Sequence, residues 1–210
     1  MGHIALLGDS IFDNRSYTAG EPDVVEHLRL ALPSEWQATL CAVDGTTTND
    51  VGAQFAGIPA DATHLVLSLG GNDALLNSDI LSTPVPSTRE ALTLFATRVE
   101  LFERHYANVL AKLAAFKHAL TVCTIYNGNL PENDRRNARI ALMMFNDVII
   151  RVALAIGADI LDLRAVCTEE SDYANPIEPS GQGGAKIARA IAQAVGAAKA
   201  DGAPALLRVD

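Results

Sequence analysis

The stretch His3–Asn14, with the sequence HIALLGDSIFDN, joins a short apolar run to a glycine and a serine. The run His3–Leu7 has the length and composition of a buried strand, and Gly8 allows the chain to turn sharply after it. Ser10 then stands at a strand-to-helix turn, where its hydroxyl can face a crevice beside free backbone N–H groups. Taken alone, the same residues also fit a turn that Asp9 and Ser10 merely cap.

Four more short apolar runs predict buried strands: Trp36–Val43, His64–Leu69, Ala119–Ile125 and Ala158–Leu161. Helical spacing of apolar residues marks the longer segments Glu21–Leu32, Ser87–Phe116, Asn133–Ile156 and Ser180–Ala200, with Asn133 and Ser180 as N-caps. Strands that alternate with helices predict an α/β fold with a parallel sheet covered on both faces. We expect one domain over residues 1–200 and a loosely packed tail, Asp201–Asp210.

Composition excludes several classes of function. The chain has 210 residues and a formal net charge of -9, which disfavours a nucleic-acid binder because phosphate binding needs clustered Lys and Arg. No apolar run is long enough to span a membrane, and no signal-peptide pattern opens the chain. We therefore expect a cytoplasmic protein. The three cysteines are widely spaced, which indicates reduced thiols.

Polar residues follow the second and third predicted strands. Gly45 can present its backbone N–H where a side chain would block approach, although it also fits a simple loop glycine. Asn72 can aim its amide into the crevice, and Asp73 can cap the next helix. Ligands bind at the carboxyl ends of parallel strands, so these residues should meet Ser10 there. A serine with three N–H donors suits acyl transfer, where one oxyanion donor lowers the barrier by about 3–4 kcal/mol.

Gly8-Asp9-Ser10, Gly45 and Gly71-Asn72-Asp73 match the first three sequence blocks of the SGNH hydrolases, also called GDSL esterases, in order and spacing. The chain resembles this family over nearly its whole length. The resemblance implies a flavodoxin-like three-layer α/β/α sandwich with a five-stranded parallel sheet ordered 2-1-3-4-5. It also implies that Ser10 attacks a small-molecule ester or thioester, without a metal or an organic cofactor.

The fourth block departs from the family. It normally reads D-x-x-H, where the histidine is the base for the serine and the aspartate orients it. Here Asn175 replaces the aspartate and Glu178 replaces the histidine. None of the five histidines is expected to reach Ser10, since each lies at a strand start or near a helix: His3, His27, His64, His105 and His118.

Glu178 is the direct substitute for the missing base. An ordinary glutamate, with a pKa of about 4.3, is a weak base, and burial would raise that pKa. The Asn175 amide can donate a hydrogen bond that orients the carboxylate and lowers its pKa somewhat, so the two effects compete. Asp172 is a second nearby carboxylate and a possible helper. The predicted site is Ser10 as nucleophile, Gly45 and Asn72 as oxyanion donors, and Glu178 with Asn175 as the atypical base.

Two other interpretations remain open at this point. One is a catalytically inactive protein of the same fold, which would bind a small acyl or carboxylate ligand at the groups that form the oxyanion hole in an active enzyme. A flavin- or phosphate-binding flavodoxin relative is disfavoured, because Asp9 and Asp13 place two carboxylates where a phosphate loop should be rich in Ser, Thr and Gly.

Overall fold

The sheet consists of six strands in the order β2-β1-β3-β4-β5-β6 in the computed structural model, which describes residues 1–198 and 206–207. The strands are β1 (Gly2–Gly8), β2 (Trp36–Leu40), β3 (His64–Ser68), β4 (Ala119–Cys123), β5 (Asp159–Leu161) and β6 (Leu206–Leu207). The first five are parallel, which confirms the predicted order 2-1-3-4-5. The short β6 is added antiparallel to β5 at the sheet edge.

Helices cover both faces of the sheet, so the predicted three-layer α/β/α sandwich is confirmed. They are α1 (Val24–Ala31), α2 (Gly71–Leu76), α3 (Thr88–Ala114), α4 (Glu132–Ala155) and α5 (Gly181–Ala194). The pair α1 and α5 packs on one face, and the pair α3 and α4 packs on the other. Short 3₁₀ helices occupy several of the connecting loops. Among the described helices, none combines the length and the hydropathy needed to cross a membrane.

Alternation along β1 explains why all four residues from Ile4 to Leu7 are apolar. Ile4 and Leu6 face the layer of α1 and α5, whereas Ala5 and Leu7 face the layer of α3 and α4. All four are fully buried, because side chains on successive residues of a strand point to opposite faces and both faces are covered. The first strand therefore contributes to both halves of the core.

Two predicted helix starts had different outcomes. Ser180 caps α5 as expected, since its hydroxyl accepts the Gly183 N–H at 3.1 Å. The prediction that Asn133 caps α4 is wrong. The Pro131 carbonyl accepts the N–H groups of Asp134 and Arg135, at 3.0 and 2.9 Å, so the helical ladder begins earlier.

The ends of two other elements differ from the prediction. The strand β2 stops at Leu40 rather than Val43, because the N–H groups of Cys41 and Ala42 both donate to the Leu6 carbonyl and break the regular register. The helix α5 stops at Ala194, and Gly196 follows with a φ of 74°, a left-handed conformation typical of helix ends. Of the predicted tail, Asp201–Asp210, only Leu206–Leu207 lies among the described residues. Cys41, Cys123 and Cys167 are free thiols, as predicted.

The segment after β3 was only partly anticipated. It forms the short helix α2, whose N-cap is Gly70 with a φ of 118°. Asp73 is therefore inside the helix and does not cap it, in contrast to the prediction. Its carboxylate instead accepts hydrogen bonds from the backbone N–H and the hydroxyl of Thr48, which ties α2 to the loop after β2.

Candidate active site

Ser10 and Glu178 meet at the carboxyl edge of the sheet. The Ser10 hydroxyl donates a hydrogen bond of 3.1 Å to Oε1 of Glu178. Ser10 lies just after β1 and Glu178 lies in the loop before α5, so the fold joins the two ends of the chain here. Both side chains are buried, with 6% and 7% of their surface exposed. A serine hydroxyl and a carboxylate are thus within direct proton-transfer distance.

A tight turn presents the Ser10 side chain. Gly8 adopts a φ of 124°, and the Asp9 N–H then donates to the Ser68 carbonyl in β3 at 3.2 Å. The Phe12 N–H closes the turn on the Asp9 carbonyl at 3.1 Å. The Gln54 side chain bonds both backbone groups of Gly8. Its Oε1 accepts the Gly8 N–H at 2.8 Å, and its Nε2 donates to the Gly8 carbonyl at 2.7 Å. Backbone geometry therefore places Ser10 at the sheet edge, where its hydroxyl bonds to Glu178.

Asn175 shapes the loop that carries Glu178. Its Oδ1 accepts the backbone N–H groups of Ile177 and Glu178, at 2.9 and 3.0 Å. Tyr126 fixes the same loop by donating its hydroxyl to the Ile177 carbonyl at 2.6 Å. The predicted bond from the Asn175 amide to the Glu178 carboxylate is not among the hydrogen bonds of the described residues. Asn175 acts on the backbone of Glu178 because an asparagine side chain readily closes such a turn.

The environment makes Glu178 a stronger base than an ordinary glutamate. Burial raises its pKa to about 6, and the negative charge of Asp44 adds to the rise, while the hydrogen bond from Ser10 opposes it. Within the described part of the chain, Oε2 of Glu178 is buried and has no hydrogen-bond partner. An unsolvated carboxylate oxygen destabilises the charged form, which agrees with the direction of the pKa shift.

Asp9 is a second carboxyl group with a shifted pKa, directly before Ser10 in the chain. Burial raises the pKa of Asp9 to about 7, and the nearby charges of Glu178 and Asp73 add to the effect. Its Oδ1 accepts the Ile11 N–H at 3.2 Å, which opposes the shift. Burial also raises the pKa of Asp73. Three carboxyl groups therefore share this end of the sheet, and the neutral form of Asp9 is favoured below neutral pH.

The Asp9 carboxyl group should make the protein less stable as pH rises. Its folded-state pKa is raised, so its contribution is complete below about pH 4 and is lost as pH rises through about 7. Between about pH 5 and pH 8 the loss is roughly 2–3 kcal/mol. We expect Asp9→Asn to remove this loss, measured as the free energy of unfolding in urea at both pH values. Asp134→Asn, at an exposed position of α4, is the control and should keep the wild-type difference. An unchanged pH dependence in Asp9→Asn would contradict the prediction.

Asn72 and Gly45, the predicted oxyanion donors, follow β3 and β2. The Asn72 amide donates to the Thr46 carbonyl at 3.0 Å, and this bond fixes the plane of the amide beside Ser10. Asn72 lines the same cavity as Ser10 and Glu178. Gly45 is exposed, in a turn with a φ of 78°, and it is not among the described residues that line the cavity. The Asn72 bond to Thr46 nevertheless links the turn of Gly45 to the start of α2.

Neither Asp172 nor any of the five histidines is hydrogen-bonded to Ser10 among the described residues. Asp172 is fully buried, accepts the N–H groups of Thr168 and Glu169, and forms an ion pair of 2.7 Å with Lys186. The ring of His3 lies between the side chains of Asp61 and Thr39. All five histidines are among the described residues, and no hydrogen bond in that part of the chain joins one of them to Ser10. Among the described residues, Glu178 is therefore the titratable group whose side chain is hydrogen-bonded to that of Ser10.

A cavity of about 140 Å³ opens at Ser10. Its polar lining includes Asp9, Ser10, Asn72 and Glu178, and a large part of the remaining wall is apolar. The apolar residues include Leu75, Ile80, Phe95, Ile125, Leu142 and Phe145. Sequence analysis did not identify these residues, which come from α2, α3, α4, the 3₁₀ helix after α2 and the segment after β4. Within the described residues, no three His, Cys, Asp or Glu side chains are placed to hold a metal ion.

Comparison with known proteins places the chain in a family. A model described as the GDSL-like Lipase/Acylhydrolase family matches residues 6–186. A search of curated proteins found no match. Among solved structures, the phospholipase A1 from Streptomyces albidoflavus is 17% identical, with 94% of this chain and 99% of that chain covered and a TM-score of 0.70.

Two further solved structures are similar in fold. The lipase Lip_vut3 from a goat rumen metagenome is 19% identical, with coverage of 95% and 99% and a TM-score of 0.71. A variant of Axe2, an acetyl xylan esterase from Geobacillus stearothermophilus, is 17% identical, with coverage of 96% and 97% and a TM-score of 0.64. At these identities the likeness extends to the fold alone. Because the family model spans most of the sequence, from β1 into α5, this chain belongs to the GDSL-like lipase/acylhydrolase family.

Proposed function

We propose that the protein is a carboxylic-ester hydrolase in which Ser10 is the nucleophile and Glu178 is the general base. The observation that carries this proposal is the 3.1 Å hydrogen bond between two buried groups, the Ser10 hydroxyl and the Glu178 carboxylate. The pKa of about 6 lets Glu178 be mostly ionised at neutral pH and still hold a proton during the reaction. Both properties are required of a base that must also return the proton.

The reaction proceeds in two half-reactions. Glu178 accepts the hydroxyl proton as Ser10 Oγ attacks the ester carbonyl carbon, which forms a tetrahedral oxyanion. The oxyanion collapses, the carbon–oxygen bond to the alcohol breaks, and the leaving oxygen takes the proton from Glu178. Water then attacks the acyl-enzyme and gives a proton to Glu178. Collapse of the second intermediate releases the carboxylic acid and returns the proton to Ser10. No step needs a metal or an organic cofactor.

The oxyanion is held by backbone and amide donors. We assign the N–H groups of Ser10 and Gly45 and the side-chain amide of Asn72 to this role. The position of Asn72 in the same cavity and its fixed amide plane support the assignment. A donor that is already oriented costs no reorganisation when the charge develops, and one such donor is worth about 3 kcal/mol of barrier.

The structural neighbours support esters as the substrate class. They include a lipase, a phospholipase A1 and an acetyl xylan esterase, and all three names describe hydrolysis of acyl esters. The apolar wall beside Ser10 suits the acyl part of a small-molecule ester. We therefore place the acyl group in the cavity, with its carbonyl carbon at Ser10.

Covalent labelling tests the nucleophile directly. A fluorophosphonate should phosphonylate Ser10 with loss of fluoride, because its phosphorus mimics the acyl carbon under attack. Intact-mass measurement should show one adduct on the wild type and none on Ser10→Ala. The matched control Ser78→Ala removes another serine that lines the cavity and should still be labelled.

Ester hydrolysis is measured in the same preparations. The wild type should hydrolyse a chromogenic acetate ester, and Ser10→Ala should not exceed the rate without enzyme. A wild-type rate equal to that of Ser10→Ala, together with no adduct, would contradict the proposed function. Ligand-induced thermal stabilisation without turnover would then identify the chain as a non-catalytic binding protein.

A further inference from the structure

Phe95 stands between two apolar spaces. It lines the cavity at Ser10, and it also lines a more open groove of about 340 Å³ between α3 and α4. The other groove residues are Leu92, Ala96 and Val99 from α3 and Met143, Met144 and Asp147 from α4. Among the described residues, Phe95 is the one side chain common to both linings. A chain-like ligand in the cavity would have to pass Phe95 to enter the groove.

The position of the groove follows from the topology. The helix α3 begins beyond the carboxyl end of β3 and runs back to the amino end of β4, so its first half lies on the Ser10 side of the molecule. The second half buries Phe102, Tyr106 and other residues against the sheet, whereas Leu92 in the first half is 60% exposed. Met143 in α4 is similarly 59% exposed. Apart from Asp147, the groove is therefore lined by apolar side chains, and each of the two helices leaves at least one of them largely exposed to solvent.

Hydrogen bonds from α3 hold the part of the cavity wall that contains Ile80 and Leu81. Arg98, one turn after Phe95, donates to Oδ1 of Asn77 at 3.2 Å and to Oδ2 of Asp79 at 3.3 Å. These bonds hold the segment that carries Ile80 and Leu81 beside α3. On the other side of the groove, two methionines supply flexible side chains that adapt to a ligand of varying length.

We propose that Phe95 sets the length of the acyl chain that the enzyme accepts, with straight aliphatic acyl esters as the substrate class. This inference rests on the proposed function, since the acyl group is placed in the cavity at Ser10. The cavity holds the first part of the chain, and the phenyl ring blocks its continuation into the groove. Each methylene buried before that point raises kcat/KM about fourfold, because burial of one CH₂ contributes that much to transition-state binding.

A chain-length series tests the role of Phe95. We expect kcat/KM of the wild type to rise from acetate through butyrate and hexanoate esters, to reach a maximum and then to fall. Phe95→Ala should move the maximum by at least two carbons toward longer chains and raise the rate with those esters about 15-fold, as expected for two more buried methylenes. Ala141→Phe, which adds bulk to the cavity wall, should move the maximum toward shorter chains.

The matched control is Phe116→Ala, the same truncation at a position beyond the C-terminus of α3 and outside both linings. It should keep the wild-type profile. An equal change at every chain length in Phe95→Ala would overturn the proposal and leave the ester hydrolase intact. A wild-type profile that is highest for acetate would do the same.

A binding experiment separates this proposal from the proposed function. Straight-chain methyl ketones carry an ester-like carbonyl but cannot be hydrolysed, and their affinity for Ser10→Ala is measurable by calorimetry. The ketone length of highest affinity should increase when Phe95→Ala is combined with Ser10→Ala. A length preference that does not move, or no ketone binding, would overturn the role of Phe95 whether or not the wild type hydrolyses esters.

Discussion

Replacement of Glu178 by glutamine is expected to lower kcat/KM for an acetate ester by about a thousandfold, the size of effect typical for loss of a general base. The amide has nearly the same shape as the carboxyl group and can still accept the hydrogen bond from Ser10. It cannot take the proton, so the loss isolates proton transfer from packing. Steady-state rates of the wild type, Glu178→Gln and Ser10→Ala provide the comparison. Glu21→Gln, the same chemical change at an exposed glutamate, should leave the rate unchanged.

The pH dependence identifies the base independently. Because Glu178 must be ionised to accept the proton, kcat/KM of the wild type should fall below about pH 6, the pKa that burial gives this group. The charge of Asp44 contributes to that raised pKa, so Asp44→Asn should lower it and move the acidic limb to lower pH. A Glu178→Gln variant with wild-type activity, or an acidic limb that stays in place in Asp44→Asn, would contradict the assignment of the base.

The arrangement of Ser10 and Glu178 was predictable because each follows from a local signal. A buried strand followed by Gly8 requires a sharp turn, and that turn carries Ser10 to the carboxyl edge of a parallel sheet. Glu178 stands where the family resemblance implies the base. The direction of its pKa shift was left open by the sequence, which allowed both burial and a hydrogen bond from Asn175; burial is the larger effect in the structure and raises the pKa.

Other parts of the site depend on contacts between segments that are distant in sequence. Oδ1 of Asn175 accepts bonds from the backbone of its own loop, and spacing alone does not decide whether the Asn175 side chain is oriented toward that backbone or toward the carboxylate. The pairing of Asp172 with Lys186 joins a loop to α5 and removes Asp172 from the site. The burial of Asp9 depends on the elements packed above it, so its raised pKa is a tertiary effect.

The apolar wall of the cavity has a weak signal in the sequence. The first half of α3 carries Leu92, Leu94, Phe95 and Val99, which is more apolar surface than one stripe facing a sheet requires. A helix with extra apolar positions near a predicted active site can therefore indicate a ligand-binding wall. Which residues face the ligand still depends on the angle at which α3 and α4 leave the sheet, and periodicity does not define that angle.

Gly8 is the residue on which both the fold and the site depend. Its φ of 124° lies in a region that L-residues with a side chain rarely adopt. A Cβ atom at this position would lie 1.7 Å from the backbone oxygen of Ser68, in the neighbouring strand β3. That oxygen also accepts the Asp9 N–H, so it cannot move without breaking the bond that starts the serine turn.

We therefore expect Gly8→Ala to destabilise the protein by more than about 4 kcal/mol, since strain at a left-handed position adds to a backbone clash between paired strands. The measurement is the free energy of unfolding in urea, or the loss of soluble folded protein where the variant does not fold. Gly52→Ala is the matched control, because a Cβ atom there meets no neighbouring atom and the residue is exposed; it should change stability by less than about 1 kcal/mol. A Gly8→Ala variant as stable as Gly52→Ala would mean that β1 and β3 separate at their carboxyl ends at little cost. The turn that carries Ser10 would then be held by the two hydrogen bonds between Gln54 and the Gly8 backbone, rather than by the close approach of the two strands.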